Sequence, residues 1–297
     1  MLDKETIEKY KKAGRIAAEA LEHGRTLIKA GARVVDICDE VDKKARALGG
    51  EPAFPAQISI NNIAAHYCSL HNDPLVCKEG DVVKLDVGVH VDGFIGDNAL
   101  TVDLGDNKEL VQASLDGLNA ALKIIKAGVP VCEIGQAILD AIQAKGFSPV
   151  KNLSGHGLDQ FEIHTPPTIP NFNNGNHLAL QEGMAFAVEP FATDGHGMIF
   201  EASPPTIYAL KSMKPVRGQY AKDVLDAVKK YNGLPFALRW VTRELGEAKA
   251  RFGIRELERM GILIGFPPLP EKANGLVSQH EHTILLLDRP FVTTKLD

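Results

Sequence analysis

The 297-residue chain has no apolar run near the roughly 18 residues that a membrane span needs. Its first residues, MLDKETIEKYKKAGR, lack the apolar core of a secretory signal. Cysteine is sparse: Cys38, Cys68, Cys77 and Cys132 are scattered without a C-x-x-C pair. That spacing suggests reduced thiols in the cytoplasm, not a zinc knuckle or a disulfide frame. No segment is low in complexity. A net charge of −5, with 44% hydrophobic and 24% charged residues, describes a globular protein that needs no membrane.

The first positive feature is an internal repeat. LIKAGARVVDICDEV (Leu27–Val41) matches IIKAGVPVCEIGQAI (Ile124–Ile138). Lys-Ala-Gly recurs, followed by Val34/Val131, Asp36/Glu133, Ile37/Ile134 and Val41/Ile138. In each copy one helix precedes the Lys-Ala-Gly break. A second, amphipathic helix follows and ends at Gly49 or Gly146, where a C-terminal glycine belongs. Further on, EGDVVKLD (Glu79–Asp86) resembles EGMAFAVE (Glu182–Glu189), so Asp86 and Glu189 occupy equivalent strand positions. His66 and His164 fall at nearly equivalent places. Two pseudo-symmetric α+β halves are expected, with a site at their junction.

KLDVGVHVDGFIGDNALTVDL (Lys84–Leu104) carries two aspartates inside apparent strands, although aspartate is depleted there and costly to bury unpaired. Asp92-Gly93 marks a two-residue hairpin turn. That turn pairs Val91 with Phe94 and Gly88 with Asp97. Asp97 therefore shares a sheet face with Gly88 and Asp86, while Val83, Leu85, Val87, Val89 and Val91 form the other face. The two carboxylates become diagonal neighbours, with Gly88 leaving open space beside them. Either aspartate alone fits a solvated sheet face. The converging pair points to a hard cation.

Three more residues complete a candidate set. His156 stands between two glycines in SGHGLD. Glu189 ends the apolar run MAFAVE before Pro190, and Glu281 opens the apolar strand EHTILLL. Each has a plain alternative, as a turn histidine or a solvated strand end. Together, four carboxylates and one imidazole suit two adjacent divalent cations such as Mn, Fe, Co or Zn. Protons should compete with metal at His156 and the carboxylates below a pH of about 6.5.

The ordered segments FPAQISINNIAAHY, LDVGVHVDGFIGDNALTV, SGHGLDQFEIHTPPTIPN, AFAVEPFA and QHEHTILL resemble the methionine aminopeptidases over nearly the whole chain. The resemblance implies the α+β pita-bread (creatinase/aminopeptidase) fold and removal of the initiator methionine from nascent polypeptide N-termini. Asp86 would bind one metal, Asp97 and Glu281 would bridge both, and His156 and Glu189 would bind the other. Glu189 would also shuttle a proton. His66 and His164 would flank the substrate as catalytic groups without being metal ligands, and Phe54 would line the pocket for the N-terminal side chain. His280 stands where the family usually has an aromatic residue. Cys68 stands where Thr is common, and is expected to put a thiol close to His66.

Between the Glu189 and Glu281 strands lies a segment from 205 to 270 with helical stripes in QYAKDVLDAVKKYNG, FALRWVTREL and GIRELERMGIL. A helical insert there resembles the type II enzymes, and the short N-terminus resembles their archaeal form. The expected organisation is a catalytic domain of 1–204 and 271–297 carrying an insert of 205–270, in a cytoplasmic monomer. The insert holds twelve Lys/Arg against six Asp/Glu, leaving the rest of the chain at −11. A transient contact with the ribosome is one use of that charge, and a solvated helical face is the other. The rival functions are an Xaa-Pro peptidase of the same fold and a catalytically silent pita-bread protein that binds RNA or ribosomes.

Overall fold

The computed structural model describes residues 2–202 and 204–296. The first half runs α1 (Lys4–Leu27), α2 (Val34–Ala47), β1 (Glu51–Pro52), β2 (Gln57–Ile60), β3 (Val82–Val91) and β4 (Phe94–Asp103). Asp3 starts α1 by accepting the Thr6 N–H at 2.8 Å, satisfying a donor the helix cannot satisfy itself. β3 and β4 pair in the register the Asp92-Gly93 turn demands, with Gly88 opposite Asp97. Val83, Leu85, Val87 and Val89 face a core shared with α1 and α2.

The second half repeats the plan with α3 (Lys108–Ile124), α4 (Val131–Ala144), β5 (Ser148–Pro149), β6 (Ser154–Asp159), β7 (Glu162–Pro170), β8 (Ala185–Val188) and β9 (Phe191–Thr193). α2 and α4 start 97 residues apart and each has 14 residues; β1/β5 and β2/β6 keep the same offset. Both Lys-Ala-Gly breaks are built alike. Gly31 and Gly128 have φ of 85° and 89°, the left-handed region where only glycine avoids strain. Gly31 N–H donates to the Cys77 carbonyl and Gly128 N–H to the Leu180 carbonyl, both at 2.8 Å. A second core joins α3 and α4 to Phe186 and Val188 of β8.

After β9 the chain leaves the sheet for β10 (Ile207–Leu210), α5 (Gln219–Val228), β11 (Phe236–Ala237), α6 (Leu238–Leu245), α7 (Glu247–Arg259) and β12 (Leu263–Phe266). Asn232 and Gly233, both at positive φ, turn the chain out of the helical run as the sequence suggests. The segment is not purely helical: β11, β10 and β12 form a sheet in that order. Four-residue apolar strands carry no readable period, which is why the helices alone were legible. α7 also starts at Glu247, before Gly253. These elements enclose their own core around Val224, Phe236, Ile254 and Leu257. Arg239, buried on α6, fastens them to α2 through Asp39 at 3.2 Å and Asp42 at 2.7 Å.

The chain returns through β13 (Val277–Gln279), β14 (His282–Leu286) and β15 (Pro290–Val292), with β14 beside β8. β4 and the residue before β14 then join the halves, through the antiparallel pairing of Ala99 with Glu281. Two threonines make the junction two-fold. Thr101 Oγ1 donates to the Gln279 carbonyl at 2.7 Å and accepts the Gln279 N–H at 2.8 Å. Thr283 Oγ1 does the same to Asp97, with both bonds at 2.8 Å.

Candidate metal centre

Strand register decides which side chains converge. Gln57 is paired with Asp86, Asp86 with Ala99, and Ala99 with Glu281. His282 is paired with Val188, and extending that register by one residue sets Glu281 against Glu189. One row of side chains therefore crosses both halves on a single face and carries Asp86, Glu281 and Glu189. Asp97 lies two residues from Ala99 on that face. His156, on β6, presents Nε2 at 3.8 Å from Asp97 Oδ2 and 3.8 Å from Glu189 Oε1. One ligand atom from each of Asp97, His156 and Glu281 falls within 4.8 Å of the others. These gaps are too long for hydrogen bonds. They are spacings that ligands about 2.1 Å from a shared ion can span.

The electrostatics also call for a cation. Asp97 and Glu281 are 2% and 3% exposed. Oδ1 of Asp86 and Oδ1 of Asp97 are buried without a hydrogen-bond partner. Burial pushes the Asp86 carboxyl up to about 7. Burial, reinforced by the neighbouring carboxylates, holds Asp97, Glu189 and Glu281 well above the usual carboxylate range. Lys84 is the buried cation on the same strand face as Asp86. Its ammonium turns away, donating to the carbonyls of Asn61 at 3.0 Å and Val277 at 2.8 Å. Among the described residues, no Lys or Arg pairs with the four acids. A divalent ion fits what this donor set lacks.

Burial pushes His156 down to about 3, so the imidazole is neutral and able to ligate. His66 is likewise pushed down to about 4, by burial and then by His164. Burial lowers His164 as well. Both of these histidines have left-handed backbones, with φ of 65° and 64°, a costly conformation for a residue with a Cβ. The His164 ring stands edge-on to His156 with centroids 4.4 Å apart. The cavity between them measures about 210 Å³, with Phe54, Ile163, Phe191, Ile207 and Phe266 as its apolar walls.

The structure thus brings Phe54, His66, Asp86, Asp97, His156, His164, Glu189 and Glu281 to one cavity. Gly88 is not beside open space, however. A Cβ there would lie 2.1 Å from the Phe54 ring, so the glycine seats that ring. Cys68 is not a companion of His66 in the cavity. It is buried against the insert, where Arg239 donates to Sγ at 2.6 Å, and burial pushes its thiol up to about 11. His280 packs behind Glu281 by hydrogen-bonding Ser114 Oγ at 2.9 Å. Gln279, whose Nε2 lies 3.4 Å from Glu281 Oε2, was missed. Its only sequence signal was its place two residues before a candidate ligand.

Comparison with known proteins agrees with this geometry. Residues 8–225 match the model of metallopeptidase family M24. The chain is 45% identical to the methionine aminopeptidase of Archaeoglobus fulgidus, over 99% of this chain and 100% of that one. It is 42% identical to the methionine aminopeptidase of Pyrococcus horikoshii, over 97% and 99%. The crystal structure of methionine aminopeptidase from Thermotoga maritima superposes with a TM-score of 0.74 at 24% identity, covering 99% of this chain and 98% of that one. A pita-bread fold, a buried acid-and-imidazole cluster and full-length identity to these relatives coincide, and the chain belongs to the methionine aminopeptidases of metallopeptidase family M24.

Proposed function

We propose that the protein removes the initiator methionine from nascent polypeptides, using Asp86, Asp97, His156, Glu189 and Glu281 to hold two divalent ions of the Co, Mn, Fe or Zn type. The observation that carries this reading is the single row of acids contributed by both halves, with Glu281 and the adjoining Asp97 buried and no Lys or Arg paired with any of the four among the described residues. Such ions, when bound, lower the pKa of a water from about 15.7 towards neutrality and offer a ligand position to a free α-amine.

The remaining steps belong to side chains. Phe54 packs the methionine side chain in the apolar part of the cavity. Glu189 takes the proton of the attacking water and delivers it to the leaving amine, a role suited by a carboxyl held above its usual range. His164 donates to the scissile peptide. His66, neutral and half-buried, donates to the tetrahedral oxyanion.

Residues 1–204 and 271–297 act as the catalytic body and 205–270 as an insert that touches the ribosome. Lys211, Lys214, Arg217, Lys222, Arg255 and Arg259 support that contact, since none has a carboxylate partner among the described residues. The protein works as a cytoplasmic monomer. Among the described residues, no helix is long and apolar enough to cross a membrane.

Peptides beginning Met-Gly, Met-Lys and Xaa-Pro, offered to chelated and metal-restored enzyme, test the activity. Metal-dependent release of methionine alone is expected. Preferential cleavage before proline would establish the Xaa-Pro peptidase instead, and inertness towards all three would favour the silent binding protein.

A further inference from the structure

Gln279 is the pseudo-symmetry counterpart of Asp97. Thr101 Oγ1 bonds both the N–H and the carbonyl of Gln279, as Thr283 Oγ1 bonds both groups of Asp97. Ala99 and Glu281 face each other across the same axis. The backbone thus offers two equivalent positions beside the cluster, one filled by a carboxylate and the other by a carboxamide.

The carboxamide is 1% exposed, so its direction is set by packing. Nε2 approaches Glu281 Oε2 at 3.4 Å. Glu281 pairs with Ala99 of the first half, so this amide steadies the acid that stands at the junction. An amide donates to carboxylates without adding charge. A carboxylate in its place would be a fifth negative group around a centre whose four acids already balance two dications.

We infer that Gln279 is a positioning residue, whose amide sets the orientation of Glu281 and keeps the centre at four negative charges. This rests on the metal-centre reading of those acids. By donating to Glu281 Oε2, the amide fixes one of the two oxygens through which this carboxylate would hold a cation. Partners of this kind are typically worth about 10–100-fold in metal affinity or activity.

The test uses full-length Gln279→Met, which keeps the volume and loses the donor, and Gln279→Glu, which keeps the shape and adds a charge. Each is stripped of metal and titrated with Co2+ by calorimetry, with the visible absorption of the bound ion recorded. Gln279→Met should bind Co2+ about 10–100-fold more weakly. It should lower kcat with little change in KM and keep the wild-type near-ultraviolet circular dichroism. Gln279→Glu should change the intensity of the cobalt bands, because an acceptor replaces a donor beside Glu281. It carries the test if Gln279→Met does not fold. Wild-type affinity and an unchanged cobalt spectrum in the folded variants would overturn the inference. Failure of the wild type itself to bind Co2+ would overturn the metal centre on which it rests.

Discussion

Val34–Ala47 in the first half and Val131–Ala144 in the second form helices of equal length, and each half then supplies an acid from a later strand, Asp86 within β3 and Glu189 just past β8. On the cleft-facing row the halves part company. Ser59 occupies in β2 the place His156 occupies in β6. Ala99 stands opposite Glu281, and Gln279 stands where the two-fold would place a second Asp97. Shared backbone hydrogen bonds make the scaffold symmetric, and a few side-chain differences make the centre lopsided. His156 brings an imidazole into the cavity, whereas the Gln279 amide meets the cluster through Glu281 and is not among the residues lining the cavity. A symmetric cluster would present two equivalent ends to a substrate; this one distinguishes them.

The largest effects should come from erasing that difference. Glu281→Ala gives the second half the residue its counterpart already has, and Asp97→Ala removes the acid lacking an equivalent. Each should lower kcat/KM by about 10³-fold or more, the scale of losing a member of a catalytic unit. Calorimetric stoichiometry should fall below two ions per chain in both. Full stoichiometry with normal turnover in Asp97→Ala would remove it from the ligand set.

Next come the paired histidines, equivalent in backbone and different in neighbours. His66→Asn and His164→Asn should cost about 10²–10³-fold in kcat. Metal content measured by atomic absorption should stay unchanged. A loss of metal in His66→Asn would make it a ligand instead of a hydrogen-bond donor.

The pH response sharpens the comparison further. Competition between protons and metal, expected from the sequence at His156 and the carboxylates below about pH 6.5, falls mainly to the carboxylates, because burial lowers His156 to about 3. Burial raises Asp86 to about 7, and burial with the neighbouring carboxylates raises the other three acids well above the usual carboxylate range. In the unfolded chain these groups release their protons near pH 4. The stabilisation they give the metal-free fold is therefore present at acid pH and lost as pH rises through 7. His66 and His156 act oppositely, losing stability as pH falls below about 6.5. Metal must displace the carboxyl protons. Calorimetry at pH 6 in two buffers of different ionisation enthalpy should show at least one proton released per chain on Mn2+ binding, with affinity rising towards pH 7. Binding without proton release would contradict the raised carboxyls.

The smallest effect tests the shared scaffold. Gly31→Ala and Gly128→Ala each force a Cβ into a left-handed backbone with nothing within 4 Å to clash. Each should lower stability by about 1–2 kcal/mol in urea unfolding, and by the same amount in both halves. Unequal losses would mean the two breaks are not equivalent.

The symmetric part was the part legible in the sequence. Lys-Ala-Gly and the amphipathic helices are local signals, and Asp92-Gly93 sets the β3–β4 register without help from distant residues. The pairing of Ala99 with Glu281 joins segments 182 residues apart, so no local pattern announces it. For the same reason Gln279 stayed hidden until the Thr101 and Thr283 bonds were in view. Gly88 was read as room, because a glycine's neighbours are invisible until Phe54 is placed against it. Cys68 turned towards Arg239, a partner 171 residues away.

Anomalous diffraction from a crystal soaked in Mn2+ tests the central claim most directly, that both halves build one two-ion centre. The account predicts two peaks sharing Asp97 and Glu281, one also touching Asp86 and the other also touching His156 and Glu189. Peaks outside this row, or Mn2+ held by residues of one half alone, would contradict it.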